Sequence, residues 1–345
     1  MGGLGLRRQH QSQEQEGLRP AQERQPIRRQ QGHDLLVIAR GVLSPIARWA
    51  GTLIVVVTGL YLLTEVLPGD FADSAAGPDQ QRAEALRTQR GLDAPILLRL
   101  VSWWAGVFHG DLGTSLIDET PVLPRVLSRT ALTLAAAIPA AVLAVALAAV
   151  TALILAWWRG RIVGTQVSVL VSLLTGLPEI VLIVGLVLLL SAAAQLVPPV
   201  SLPEPGQPVW ADPSILLLPV LCLALPNAAW GARMLRGSAD DLLSTDLVVA
   251  ARRRGAPAFH ILTAHVLPRW LEPVTQVAAL LSVGVLGGTA IVESLLAYPG
   301  AGQALVAAVS ARDTPMVQGL GLVIVGISLA VLLIADLLTS RTRLR

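Results

Sequence analysis

Six apolar runs of about membrane-crossing length, separated by breaks rich in Arg and Pro, leave this chain few folds to adopt. About 20 helical residues cross the roughly 30 Å hydrocarbon layer. Within that layer only a helix or a closed barrel satisfies every backbone N–H and C=O. The runs expected as helices are Ile46–Leu67, Thr130–Leu155, Val163–Leu190, Ser214–Gly231, Val274–Val292 and Val317–Leu338. With 53% hydrophobic and 14% charged residues over 345 positions, too little polar surface remains to cover a soluble body of this size. The expected fold class is all-α: a polytopic membrane protein with six transmembrane helices in a lipid bilayer. Arg159 and Arg161, Arg233 and Arg236, Arg252 to Arg254, and Arg341, Arg343 and Arg345 all fall on one side of that scheme. By the positive-inside bias this side is cytoplasmic, and both termini lie there. The Pro-rich loop 198–213 carries no Arg, while the long outer segment 68–129 carries both signs, as long outer segments can.

Composition also excludes functions. Every basic residue other than His is Arg; the chain has no Lys. A Walker A loop needs its Lys against the β- and γ-phosphates, so no such ATP site exists here, and any ATP hydrolysis belongs to a partner. No basic patch is interleaved with aromatic residues, which argues against nucleic acid. Cys222 stands alone in an apolar run and reads as a small core residue. An intramembrane hydrolase would need a paired nucleophile and base, yet neither Gly-x-Ser-x-Gly nor His-Glu-x-x-His occurs. An ion-coupled secondary carrier would need several membrane acids and often two inverted halves; only Glu179 and Asp336 are candidates, and no repeat is visible. His109 and Asp111 lack a third ligand at suitable spacing and read as a solvated turn. No cofactor or metal is expected.

Along the chain, residues 1–34 are rich in Gln, Arg and Glu and are expected to be a disordered cytoplasmic extension. His33 to Arg48 reads as a short amphipathic helix on the inner surface. Residues 35–129 hold the first transmembrane helix and the large extracytoplasmic segment; Glu65 is expected to snorkel to the outer surface. In the outer segment Asp79 caps a helix ending at Arg90 before Gly91, and Pro95 starts an apolar helix through Trp103 and Trp104 to about His109. Residues 130–340 form the main transmembrane domain. Pro178 kinks its second span, and Glu179 beside the kink is an acid at membrane depth. It either lines a pathway and contacts a cationic part of a cargo, or is a helix-end acid protonated or paired with a neighbouring subunit.

The stretch 246–273, DLVVAARRRGAPAFHILTAHVLPRWLEP, is polar and Arg-rich between two membrane runs. Ala250 and Ala251 suit a helix that must approach another surface closely. Gly255, followed by Ala256-Pro257, suits a sharp stop, and a second short helix runs from about Ala258 until Pro268 and Pro273 break it. The spacing Ala250-Ala251, Gly255, then His265-Val266-Leu267-Pro268 resembles the EAA loop of ABC importer permeases, in the peptide/nickel variant. Val249 stands where that motif has Glu. Further matches are Leu67-Pro68-Gly69-Asp70, Gly110-Asp111-Leu112-Gly113 with Ser115, Tyr298-Pro299-Gly300 with Gly302, and Arg312-Asp313 with Pro315.

The resemblance implies a type I ABC importer transmembrane domain whose coupling loop 246–273 docks in a cleft of the ATPase subunit. It implies as partners a second homologous permease, two ATP-binding cassette subunits and an extracytoplasmic solute-binding protein, in a bacterial inner membrane. Peptides are the expected cargo, with nickel, other metal chelates or opines as the alternative. The residues it puts at the ATPase contact are Ala250, Ala251, Gly255, Ala256, His265, Leu267 and Pro268.

Overall fold

The computed structural model describes residues 27–66, 69–202 and 212–342, in two compact units, Met1–Ser44 and Pro45–Arg345. Of the expected extension, residues 1–26 lie outside the described residues, as do Leu67-Pro68, the loop tip 203–211, Arg343 and Arg345. Helix α1 (Ile27–Val66) includes the rest of the extension and the first span.

Among the described residues every regular element is helical, apart from one isolated bridge, Thr114 to Pro121. Five helices among the described residues are long and apolar enough to cross a membrane, or six if one bent pair counts as a single span. That pair is α6 (Ile162–Gly176) and α7 (Glu179–Val187), the latter continued by a π-helical stretch, Leu188–Ala193. The expected kink at Pro178 is a full break: the axes turn by 107°. Leu177 is extended, as a residue before proline prefers, and Pro178 caps α7 from outside, so no helical hydrogen bond bridges the turn.

The remaining spans are longer than the apolar runs. Helix α5 (Val122–Trp157) begins eight residues ahead of the expected Thr130, and α8 (Pro213–Leu243) continues well past Gly231. Both extra stretches contain Arg side chains, so composition alone ends the run while the backbone ladder continues. Pro139 in α5 and Pro219 and Pro226 in α8 lie inside helix.

The core is built on the α5–α8 pair. Ala136, Ala140, Ala144, Ala148 and Ala152 recur every fourth residue and are all buried, giving α5 a smooth face for α8 to approach. Gly231 of α8 sits where three helices converge. A Cβ there would lie 2.8 Å from Leu281 of α11 (Leu267–Leu295) and 3.0 Å from Ala148 of α5, so only Gly fits.

In the segment 69–129, α2 (Phe71–Ala76) was not legible as a run. It is held by a capping box in which Asp70 accepts from Asp73 N–H and Asp73 accepts from Asp70 N–H. Helix α3 (Gln80–Gln89) is capped by Asp79, and Gly91 follows at φ +67°, as expected. Helix α4 (Ile96–Phe108) starts at Pro95. Glu65 does not snorkel. It forms a bidentate pair with Arg99 of α4 at 2.6 and 3.3 Å, with the two side chains only 10% and 20% exposed. A partner on an amphipathic helix lying beside it supplies what water would have supplied.

Candidate functional site

The polar stretch 246–273 folds as a knob on one end of the bundle. Helix α9 (Asp246–Arg253) ends at Arg254, and Gly255 turns the chain at φ +79°. Its backbone closes with Gly255 N–H to Arg252 C=O at 3.0 Å and Ala256 N–H to Ala251 C=O at 3.1 Å. Helix α10 (Ala258–Ile261) begins after Pro257. The expected break at Pro268 and Pro273 is absent. A π-helical stretch, Leu262–Val266, leads straight into α11, with Pro268 in its first turn and Pro273 inside it. The wider π turn leaves room for the Pro268 ring, and a first-turn proline has no helical N–H to lose.

The knob is pinned from within. Val248, Ala251, Ile261, Val266 and Trp270 are buried in the bundle core. Trp270 Nε1 donates to Ser238 Oγ of α8 at 2.8 Å, and the Arg252 guanidinium lies 4.5 Å over the Trp157 ring at the end of α5. Thus α9, α10 and the start of α11 are tied to α5 and α8, the pair at the centre of the fold.

The outward face is different in kind. Phe259 is 77% exposed, and His260, Gly255 and Arg252 to Arg254 of the same stretch are exposed too. His260 and His265 make an edge-to-face ring contact at 5.7 Å. Of the residues expected at a docking face, Gly255, Leu267 and Pro268 are exposed, Ala250, Ala256 and His265 half-buried, and Ala251 buried. Ala251 therefore positions α9 against the bundle. Phe259 was missed by sequence reasoning; the available signal was an aromatic residue in an otherwise small and polar turn.

At the opposite end a set of polar contacts ties the sequence motifs to one another. Glu293, 1% exposed near the end of α11, accepts from Thr133 Oγ of α5 at 2.6 Å and from Gln303 N–H at 3.0 Å. Helix α12 (Ala301–Ser310) starts at Gly300, which offers no side-chain cap, and the Glu293 carboxylate takes that place. A Cβ on Gly300 would collide with this carboxylate. Thr133 Oγ also accepts from Ala301 N–H at 2.7 Å, and Tyr298 donates to Leu132 C=O at 2.7 Å. Asp313 accepts from Ser115 Oγ at 2.5 Å and Leu116 N–H at 3.1 Å, and Arg312 donates to Gly69 C=O at 3.0 Å. His109 and Asp111 serve their own turn: Nδ1 of His109 lies 2.7 Å from Ala105 C=O, and Asp111 accepts from Gly113 N–H. Glu293 and Asp313 were not read as structural acids, although each lies within or beside a motif stretch.

Two carboxylates of the segment 69–129 are held below the usual range. Burial pushes Asp70 up, but the Arg87 hydrogen bond, the Asp73 N–H and the Arg87 charge outweigh it. Asp118 is lowered by its hydrogen bonds from Thr120 and Arg125.

Glu179 starts α7 at the break. Its carboxylate lies against Gly288 of α11, where an added Cβ would stand 2.7 Å from Oε1, next to Leu223 of α8. Among the described residues no hydrogen-bond or ion-pair partner accompanies it. It is half-buried beside α8 and α11, at the break between α6 and α7.

Comparison with known proteins accords with this layout. Residues 148–343, from the middle of α5 through the knob to α13 (Thr314–Thr342), match the family model described as binding-protein-dependent transport system inner membrane component. A putative peptide transport system permease protein of Brucella abortus (strain 2308) is 29% identical over 304 residues, 86% of this chain and 95% of that protein. The probable D,D-dipeptide transport system permease protein DdpB of Escherichia coli (strain K12) is 29% identical, covering 83% and 92% of the two chains. The glutathione transport system permease protein GsiC of Escherichia coli O6:H1 is 32% identical over 269 residues, 77% and 85% of the two chains. The chain is a multi-pass membrane protein that belongs to the binding-protein-dependent transport system inner membrane component family, the permease subunits of ABC importers.

Proposed function

We propose that this chain is one permease half of an ATP-driven importer of di- and oligopeptides in a bacterial inner membrane, with both termini cytoplasmic. Relatives named for peptide, D,D-dipeptide and glutathione transport support the cargo class. The partners are a second homologous permease, two ATP-binding cassette subunits and an extracytoplasmic solute-binding protein. The observation that carries the reading is the asymmetry of the 246–273 knob: one side pinned to α5 and α8, and Phe259 left exposed on the turn between α9 and α11. An exposed aromatic side chain on a rigid turn is the kind of anchor that fills a partner's cleft. When ATP draws the two ATPases together, the seated knob moves with them. Because it is tied to the central helix pair, that motion becomes a rigid-body rocking of the bundle between inward-open and outward-open states. The chain itself supplies the lever and the path, with hydrolysis done by its partners. Reconstitution of the full complex with its binding protein in proteoliposomes tests this. Peptide accumulation that requires ATP hydrolysis is expected; accumulation driven by an ion gradient without ATP contradicts it.

Within this reading Glu179 lines the path and meets the ammonium group of the cargo. Its lack of a partner among the described residues and its seat at the α6–α7 break support this role. Glu179→Gln lowers uptake of peptides with a free amino terminus and spares N-acetylated ones. Unchanged uptake of every peptide removes this role.

A further inference from the structure

We propose that a cavity of about 410 Å³ between α5, α6 and α8 holds the phosphate headgroup of an anionic phospholipid. Arg159, just past the end of α5, and Arg236 of α8 line it from two sides. From α6 come Ser168 and Ser172, one helical turn apart, whose hydroxyls make no side-chain hydrogen bond among the described residues. The two arginines share one carboxylate, Asp240, at 3.7 and 3.8 Å, and no acid lines the cavity itself. A third guanidinium, Arg233, reaches the far end of α6 through Thr175 at 3.1 Å. Two guanidinium groups line the cavity and share a single carboxylate outside its lining, which leaves the site net positive for an anion, and guanidinium forks match phosphoryl oxygens well.

The walls identify the source of that phosphate. Leu155, Val169 and Leu173 make one side of the cavity apolar, and α6 presents Ile162, Val169, Leu170 and Leu173 outward. A free phosphate has no use for such walls; glycerol and acyl chains do. Beside the cavity Arg161 lies 5.4 Å over the Trp158 ring, and Trp158 is itself partly exposed. Trp and Arg together mark the headgroup level of a bilayer, where basic pockets between helices take anionic lipids. The lipid would wedge α6 against α5 and α8 and so steady the segment leading to the α6–α7 break. The inference does not rest on the coupling reading.

Native mass spectrometry of the full chain, released from detergent with equal amounts of dioleoyl phosphatidylglycerol and phosphatidylcholine, tests this. The wild-type chain retains phosphatidylglycerol preferentially. R159Q/R236Q weakens that retention roughly twenty-five-fold, at about fivefold per arginine. R159K/R236K keeps part of it and stays above R159Q/R236Q, because the charge survives while the guanidinium forks are lost. Ser168→Phe plugs the cavity with both arginines in place and also loses the lipid, so the test stands even if the double Gln variant fails to fold. Retention unchanged in Ser168→Phe overturns the proposal. So does phosphatidylglycerol displaced by excess inorganic phosphate, which would mark a free-anion site, or equal retention of both lipids.

Discussion

At the scale of single residues, the buried acids carry the strongest expectations. Glu293 serves Thr133 and the first turn of α12 at once, so Glu293→Leu strands several buried donors and costs about 2–5 kcal/mol. Thermal unfolding in detergent should show the loss, with Glu293→Gln milder because one acceptor remains. Gly255 is different: nothing stands within 4 Å of an added Cβ, and only its φ of +79° resists substitution. Gly255→Ala should therefore cost only about 1 kcal/mol. The sequence showed Gly255 clearly, because a left-handed turn is a local demand. It did not show Glu293, because the groups that stabilise this carboxylate lie on α5 and α12, 160 and 10 residues away.

At the scale of elements, the outer segment depends on acid pairs. Asp70 and Asp118 both have carboxyls lowered in the folded chain. Their contribution is thus fully present above the unfolded carboxylate value of about 4 and is lost as pH falls through the lower folded values. Proteolysis or hydrogen exchange over 70–120 should rise as pH drops below about 4, and Asp118→Asn should flatten that dependence. The α5–α8 seam makes the opposite demand, for smallness. Ala148→Leu pushes into Gly231 and Leu281 and should cost about 1–3 kcal/mol, read as lower thermal stability. The alanines at every fourth position of α5 were not read as a seam, since periodicity gives a face and leaves open what covers it. The break at Pro178 was underread for a similar reason. Proline announces a lost hydrogen bond, while the 107° turn is set by how α6 and α7 each pack on α8.

At the scale of the whole molecule, one end is braced, with motifs joined to each other through Arg312 and Asp313 and to α5 through Tyr298 and Glu293, and the 246–273 knob forms the other. The spans, the outer motif set and the knob's place in the chain were legible beforehand, because hydropathy and turn chemistry are written locally. The face of the knob that points outward was not, since Ala251 and Phe259 differ only in which side the tertiary fold covers. Phe259→Asp should leave the bundle folded and abolish ATP-driven uptake. The most direct test places a cysteine at Phe259 in a Cys222→Ser chain assembled with its ATPase and probes it with a bifunctional thiol reagent. The account predicts a cross-link to a cysteine in the ATPase cleft and protection from a membrane-impermeant thiol label. Free labelling of that cysteine in the assembled complex, or labelling from the outer side of intact cells, would contradict it.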